Sequence, residues 1–117
     1  MGVITVKDLK VRGIIGTHPW ERKHQQDIII NLCIAYDSTK ACQSDKLINA
    51  LNYELLVNEV VKLVGKSKYL LLEKLTAKVL ELLMSYPLVL EASVRIEKPQ
   101  AIAEAASVCF ELVGRKK

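Results

Sequence analysis

The sequence predicts an α+β fold whose elements run ββααββ along the chain. Near both ends, residues alternate between apolar and polar, as they do in strands. The middle of the chain instead repeats apolar residues at helical spacing. Two strand pairs that flank a helix pair predict a four-stranded antiparallel sheet with both helices packed on one face. We expect a single domain over residues 1–117, because the chain contains no linker, repeat or low-complexity segment.

The first predicted strand, Val3 to Ile15, changes its alternation partway along. Its apolar residues occupy even positions before Lys7 and odd positions after Asp8. A β-bulge at these two residues would return both sets to one face of the sheet. The second strand, residues 27–36, alternates regularly, and the connection that follows it has room for one helical turn.

Two helices are predicted in the middle of the chain. The first spans about Tyr53 to Gly65 and the second about Tyr69 to Ser85, each with an apolar stripe at helical spacing. Gly65 ends the first helix, and Ser67 is a candidate N-cap for the second.

The last two predicted strands span residues 90–98 and 105–113. The sheet face away from the helices is not purely polar, since it carries Ile29, Cys33, Ala35, Cys109 and Val113. A four-stranded sheet also has two edges whose backbone groups need partners. Both features predict that several copies associate edge to edge.

Composition and charge exclude several classes of protein. Half of the residues are hydrophobic and a quarter are charged, which is typical of a globular protein and not of a disordered one. Arg115, Lys116 and Lys117 supply three of the four net positive charges, so the domain lacks the basic face of nucleic-acid-binding proteins. We interpret these three residues as a solvated tail. No segment approaches the length needed to span a membrane.

The cysteines indicate a reducing compartment. Cys33, Cys42 and Cys109 show no paired spacing, and the N-terminus has no signal-peptide pattern, so we expect a cytoplasmic protein with free thiols. We also expect Cys33 and Cys109 to be small buried hydrophobic residues of their strands.

Lys98 is the first candidate for chemistry, because it ends the apolar face of the third strand. It shares that face with Val94 and Ile96, and Pro99 stops the strand. An amine partly withdrawn from water at such a position is suited to proton transfer. The alternative is that Lys98 simply extends into the solvent.

Three more polar residues are candidates. Glu21 follows the only tryptophan in a polar loop, Tyr53 opens the first helix, and Glu73 interrupts a leucine-rich run near the start of the second. Each has an ordinary alternative: a surface carboxylate, a packed tyrosine beside a capping Asn52, and an acid that stabilises a first helical turn. The two histidines, without paired cysteines, predict no metal site.

Together these residues resemble the dihydroneopterin aldolase family, within the tunnelling-fold group of pterin and purine enzymes. The resemblance covers essentially the whole chain and rests on the order and spacing of short motifs, none of which is specific alone. They are Ile15-Gly16, Trp20-Glu21-Arg22, Gln26-Asp27-Ile28, Ser44-Asp45, Leu51-Asn52-Tyr53, Leu72-Glu73-Lys74-Leu75 and Lys98-Pro99 with Ala101. The resemblance implies a tunnelling fold whose copies assemble edge to edge into a barrel.

The activity that the resemblance implies is a retro-aldol cleavage in folate biosynthesis. It converts 7,8-dihydroneopterin into 6-hydroxymethyl-7,8-dihydropterin and glycolaldehyde. The ring imine of the dihydropterin accepts the electrons of the broken carbon–carbon bond once its nitrogen is protonated. Such a reaction needs no metal, Schiff base or other cofactor.

The matching motifs imply a role for each candidate. Lys98 would be the general acid/base at the ring nitrogen, and Tyr53 would help to move the hydroxyl proton of the substrate side chain. Glu73, beside the Leu72 backbone, would bind the amide and amino edge of the pterin. Glu21 would orient Lys98 and the bound side chain or a water molecule.

The resemblance also implies the partners. Such enzymes usually form octamers of two stacked four-subunit rings, with each pocket shared between subunits. The expected partners are therefore a small-molecule pterin and further copies of this chain, and neither nucleic acid nor a membrane.

Two alternative functions stay open. One is an epimerase that inverts a side-chain carbon of dihydroneopterin or its triphosphate, and the other is a non-catalytic oligomer that binds a pterin or purine. The presence of both Lys98 and Tyr53 favours catalysis over binding alone. His18 and Pro19 stand where acidic and aromatic residues are common in the family, and Gln100 stands where glycine is common. These departures put loop conformation and substrate preference in question.

Overall fold

The computed structural model describes residues 1–117 and contains one four-stranded antiparallel sheet with the strands in sequence order. The strands are β1 (Gly2–Gly13), β2 (Gln26–Tyr36), β3 (Val89–Lys98) and β4 (Val108–Arg115). The helices are α1 (Thr39–Ser44), α2 (Tyr53–Lys66) and α3 (Leu72–Met84), with one 3₁₀ turn at Leu47–Asn49. The predicted ββααββ order is confirmed, and the short α1 fills the connection after β2.

The change of alternation in β1 is a β-bulge, as predicted. The pairing of β1 with β2 shifts register between Val6 and Leu9, and Asp8 adopts a left-handed φ of 52°. The N–H of Asp8 donates to Oδ1 of Asn31 at 2.9 Å, so the backbone donor displaced from the ladder stays hydrogen-bonded. The apolar residues on both sides of the bulge therefore reach the same core.

The core lies between the sheet and the two long helices. α2 packs against β1, and α3 packs against β3 and β4. The residues that fill the space are fully buried leucines, isoleucines and valines: Ile28, Ile30, Ile34, Leu56, Val60, Val64, Leu75, Val79, Leu83, Val94 and Ile96. Each such side chain contributes about 1.5–3 kcal/mol of transfer free energy. This core fixes the ends of β1, β3 and α3 relative to one another.

The second long helix begins later than the sequence predicts. α3 starts at Leu72 and not near Tyr69. The prediction that Ser67 caps this helix is wrong, because Ser67 ends α2 and its hydroxyl donates to the Val64 carbonyl at 2.8 Å. The intervening segment has no regular secondary structure, and the Tyr69 carbonyl accepts a hydrogen bond from the Gly16 N–H at 3.3 Å. A tertiary contact has therefore replaced the first turn that helical periodicity predicted.

The outer face of the sheet corrects the prediction for the cysteines. Cys33 and Cys109 are both exposed and free, as is Cys42. Cys33 alternates with the buried Leu32 and Ile34, so it points away from the helices. Alternation within a strand therefore decided the exposure of these thiols, and the expectation of burial is wrong for a single chain.

The basic C-terminus is not a free tail. Arg115 ends β4 and pairs with Glu91 at 3.0 Å, and the Lys116 ammonium donates to the Tyr86 carbonyl at 2.6 Å. Two of the three terminal charges therefore have partners within the chain. None of the helices combines the length and apolar composition that crossing a membrane requires.

Replacing Asp8 by valine should lower the free energy of unfolding by about 1–2 kcal/mol, because a β-branched residue is strained in the left-handed region. Asp8→Gly is the matched control, since it removes the same carboxylate but tolerates the backbone conformation. Urea unfolding followed by circular dichroism at one protein concentration measures both variants. Equal destabilisation by valine and glycine would contradict the bulge as the cause.

Candidate active site

A pocket of about 400 Å³ opens where the loop after β1, the start of α3 and the end of β3 meet. Glu21, Leu72, Glu73 and Lys98 all line it. Four of the five residues singled out from the sequence are thus brought together, although they come from three distant parts of the chain. Tyr53 is the exception and does not line this pocket.

Lys98 and Glu21 form a buried ion pair at the base of this pocket. The Lys98 ammonium lies 2.6 Å from Oε2 of Glu21, and the two side chains are only 12% and 5% exposed. Lys98 follows Val94 and Ile96, which are fully buried on the same face of β3, as alternation predicts. The alternative in which Lys98 extends into the solvent is therefore wrong.

Glu21 accepts hydrogen bonds from three directions. Besides Lys98, the His18 N–H donates to Oε1 at 3.2 Å and the Gln26 amide donates to Oε2 at 3.0 Å. Burial by itself would raise the pKa of the Glu21 carboxyl, but the hydrogen bonds from Lys98, Gln26 and His18 outweigh it and lower that pKa. Glu21 is therefore an ionised, oriented carboxylate and not a surface acid.

Two residues that support Glu21 were not singled out from the sequence. The Gln26 amide also donates to the Ile15 carbonyl at 2.8 Å, so it ties the carboxylate to the start of the loop after β1. Gly16 has a φ of 124°, and a Cβ at this position would lie 2.2 Å from the Glu21 carboxylate. In the sequence, both residues appeared only as members of motifs. Their roles depend on Glu21, which the fold of the loop brings into contact with them.

Glu73 lines the pocket from a different part of the chain, as the second residue of α3, and it is exposed. A carboxylate in the first turn of a helix is stabilised by the helix dipole, which was the ordinary alternative given for Glu73 from the sequence. Trp20, Leu70 and Leu71 also line the pocket and are each about half exposed (53%, 54% and 51%). The site therefore combines a carboxylate, an apolar rim suited to a flat ring, and a buried lysine–glutamate pair.

Tyr53 lies at the start of α2, away from the pocket. Asn52 caps this helix, since its side-chain oxygen accepts from the Leu55 N–H at 3.1 Å. The Tyr53 side chain is 59% exposed and is not packed into the core. Leu47 and Ile48, just before this helix, are 73% and 87% exposed. The region around Tyr53 thus presents apolar and phenolic surface to the outside of the chain.

The histidines are placed separately. His18 lines the pocket, whereas Nδ1 of His24 is 2.8 Å from the Trp20 carbonyl. No group of three or more histidine, cysteine, aspartate or glutamate side chains converges anywhere in the chain as metal ligands would. The charged side chains that line the pocket, Glu21, Glu73 and Lys98, can take part in proton transfer and in electrostatic binding.

Comparison with known proteins places the chain among pterin enzymes. The family model for dihydroneopterin aldolase (FolB) matches residues 4–113. A dihydroneopterin triphosphate 2'-epimerase of Pseudomonas aeruginosa is 36% identical over 116 residues, which cover 99% of this chain and 94% of that protein. The dihydroneopterin aldolase of Escherichia coli is 30% identical over 108 residues, which cover 92% and 88%.

A solved structure extends the similarity to three dimensions. The crystal structure of Escherichia coli dihydroneopterin aldolase in complex with neopterin superposes with a TM-score of 0.88 at 29% identity. The match covers 96% of this chain and 99% of that one. The predicted tunnelling fold of the single chain is thereby confirmed.

Gly16→Ala should lower the free energy of unfolding by about 1–3 kcal/mol, because the new Cβ combines a positive φ with a clash against a buried carboxylate. Gly65→Ala is the control, since Gly65 lies within α2 and a Cβ at this position would meet no atom within 4 Å. We expect that control to be neutral or slightly stabilising. Thermal unfolding of both variants is the measurement, and an unchanged midpoint for Gly16→Ala would contradict the close packing of Glu21.

Proposed function

The chain belongs to the dihydroneopterin aldolase family of enzymes, and from that membership we propose that its pocket cleaves 7,8-dihydroneopterin into 6-hydroxymethyl-7,8-dihydropterin and glycolaldehyde. The observation that carries the proposal is the buried Lys98–Glu21 pair, 2.6 Å apart, in the same pocket as Glu73. A substrate that bridges the two would have one edge of its ring bound at Glu73 and its imine nitrogen and reacting side chain at the Lys98–Glu21 pair.

The proposed binding step uses the wall formed by the start of α3. The Glu73 carboxylate accepts hydrogen bonds from the amino group and the adjacent ring N–H of the pterin, in a forked arrangement of two parallel bonds. The Leu72 backbone lies beside it and meets the polar edge of the ring. The exposed apolar side chains at the rim cover the ring faces, which fixes the orientation of the substrate before any bond breaks.

The proposed chemical step uses Lys98 as the general acid. Lys98 delivers a proton to the ring imine nitrogen, and the ring then accepts the electron pair of the breaking carbon–carbon bond. The hydroxyl on the carbon that leaves loses its proton with the help of Tyr53, and its C–O bond becomes the carbonyl of glycolaldehyde. The carbon left on the ring then gains a proton as the ring nitrogen returns its own, which gives the hydroxymethyl product.

Glu21 has an orienting role in this proposal. Its carboxylate is ionised and fixed by His18 and Gln26, so it holds the Lys98 ammonium at the pocket instead of allowing it to reach the solvent. Charge fixed in advance needs no reorganisation when the ring nitrogen takes up its proton. Glu21 can also hold the bound side chain or a water molecule in place.

Tyr53 reaches the pocket, in our proposal, from a neighbouring copy of the chain. Its exposure at the start of α2, beside the exposed Leu47 and Ile48, supports a role at a contact between subunits. The outer edges of β1 and β4 are unpaired, and Val3 and Val113 on the outer face are each 58% exposed. We therefore propose edge-to-edge association into a barrel and a homo-octamer of two stacked four-subunit rings.

Epimerisation is the second candidate activity. The identity of the chain with the Pseudomonas aeruginosa epimerase is 36%, higher than its 30% identity with the Escherichia coli aldolase. Cleavage followed by re-addition of glycolaldehyde to the other face would invert the side-chain carbon with the same residues. In cleavage the fragment leaves the pocket, whereas in epimerisation it adds back before it leaves. A triphosphate on the side chain is compatible with epimerisation.

The proposed location is the cytoplasm. All three cysteines are free and exposed, and exposed thiols persist in a reducing compartment. The proposed partners there are the small pterin substrate and further copies of the chain.

Incubation of the purified protein with 7,8-dihydroneopterin should release glycolaldehyde, and Lys98→Ala should lower turnover by roughly a factor of 100 to 10,000. Pterin affinity should change far less, because Glu73 and the apolar rim remain. Chromatography of the products and fluorescence titration with neopterin measure the two effects. Release of an epimer without glycolaldehyde would favour the second candidate, and full turnover by Lys98→Ala would exclude Lys98 as the acid.

Co-expression of Tyr53→Phe and Lys98→Ala chains tests the shared pocket. Each variant alone should be nearly inactive, but mixed oligomers should regain about a quarter of wild-type turnover, because some pockets then combine an intact Tyr53 with an intact Lys98 from another copy. Light scattering of the same samples reports the size of the assembly. A monomer, or mixed oligomers without recovered activity, would contradict a pocket shared between subunits.

A further inference from the structure

The two walls of the pocket come from parts of the chain that have no regular secondary structure where they meet. One wall is the loop after β1, which carries Glu21, and the other is the irregular segment before α3, which leads into Glu73. Neither a strand ladder nor a helix joins them at this point. Their separation must therefore be set by specific contacts.

Arg22 makes most of these contacts. Its Nη1 donates to the Gly16 carbonyl at 3.0 Å and to the Tyr69 carbonyl at 3.1 Å, and its Nη2 donates to the Lys68 carbonyl. The first acceptor belongs to the loop of Glu21, and the other two belong to the segment before α3. The Gly16 N–H adds a bond to the Tyr69 carbonyl at 3.3 Å, so both segments are held at one place.

The chemistry of arginine fits this role. The guanidinium is planar and rigid, and it carries five donors in a fixed fork, so one side chain can bind several carbonyls in a defined arrangement. Arg22 is half-buried, and these three carbonyls are its hydrogen-bond partners. A lysine at this position would offer a single charged point and could not reproduce the fork.

The position of Arg22 in the chain gives these bonds a consequence for the site. Arg22 directly follows Glu21, so the hydrogen bonds of its guanidinium fix the backbone that presents the carboxylate to Lys98. Its acceptors Lys68 and Tyr69 lie just before the residues that form the opposite wall. Packing of α3 against β3 fixes Glu73 relative to Lys98, whereas the position of the Glu21 loop relative to the Glu73 wall depends on Arg22.

We propose that Arg22 is a positioning residue that holds the loop of Glu21 at a fixed distance from the pterin-binding wall of the pocket. This inference rests on the proposed function, because it assumes that one substrate spans both walls. Arg22 itself does not touch the reacting atoms. Its effect is to keep Glu21 in register with the side chain of a substrate whose ring is bound at Glu73.

The test compares Arg22→Met and Arg22→Lys with Lys23→Met, which removes one exposed charge from the same loop. Fluorescence titration measures the Kd of two ligands: dihydroneopterin, whose side chain would contact Glu21, and a dihydropterin without the side chain, which keeps the ring contacts with Glu73 and Lys98 but lacks the part that would contact Glu21. We expect Arg22→Met to raise the Kd of dihydroneopterin about tenfold, as the loss of a charged hydrogen bond would. The Kd of the shorter ligand should stay within about twofold, and kcat should fall up to about 100-fold.

A purely structural role would weaken both ligands equally, and that result would overturn the proposal. Unchanged Kd and kcat in Arg22→Met would overturn it as well. If Arg22→Met does not fold, Arg22→Lys should give the same pattern with smaller changes, while Lys23→Met should match the wild type.

Amide hydrogen exchange separates this inference from the proposed function. The Gly16 N–H should exchange at least about tenfold faster in Arg22→Met than in the wild type, because its bond to the Tyr69 carbonyl loses support. If the wild-type protein neither binds nor cleaves dihydroneopterin, the proposed function fails and exchange at Gly16 still decides whether Arg22 joins the walls. Unchanged exchange at Gly16 would refute the role of Arg22 in holding the two segments together, whatever the activity of the protein.

Discussion

The ion pair between Lys98 and Glu21 is the interaction on which the rest of the pocket depends. Two charges so far removed from water are tolerated only when each has close partners, and removal of either would leave the other buried and uncompensated. The surroundings of Glu21 meet this requirement: two further donors reach its carboxylate, and Gly16 leaves room for it. The conformation of the loop after β1 therefore places hydrogen-bond donors and free space around the Glu21 carboxylate.

The antiparallel sheet makes this pairing possible, because it brings the loop after β1 beside the end of β3. Glu21 and Lys98 are 77 positions apart in the sequence, yet the register of β1, β2 and β3 places them in contact. The bulge at Asp8 keeps both halves of β1 on the core, and Ile15, just beyond the end of the strand, is also buried. Core packing and site geometry are thus consequences of the same register.

The pocket has two functional ends, and the chemistry proposed for it needs both. In our proposal, Glu73 binds the ring of a pterin, whereas Lys98 exchanges a proton with that ring while a side-chain bond breaks. Cleavage and epimerisation would share this first step and differ in the fate of the released fragment, and the relatives of the chain include enzymes named for each activity. The departures at His18, Pro19 and Gln100 lie in the loops after β1 and β3.

The sequence by itself determined the order of the elements, the bulge in β1, the core-facing row that ends at Lys98, and the family, because these follow from local periodicity and from motif order. It also singled out Glu21, Leu72, Glu73 and Lys98, which meet in one pocket. Only the tertiary structure decided the late start of α3. It likewise revealed Gly16, Arg22 and Gln26 as supports of the site. The segment before α3 and the side chain of Arg22 have partners far away in the sequence, and the free energy of such contacts overrides local propensity without leaving any periodic pattern in the chain.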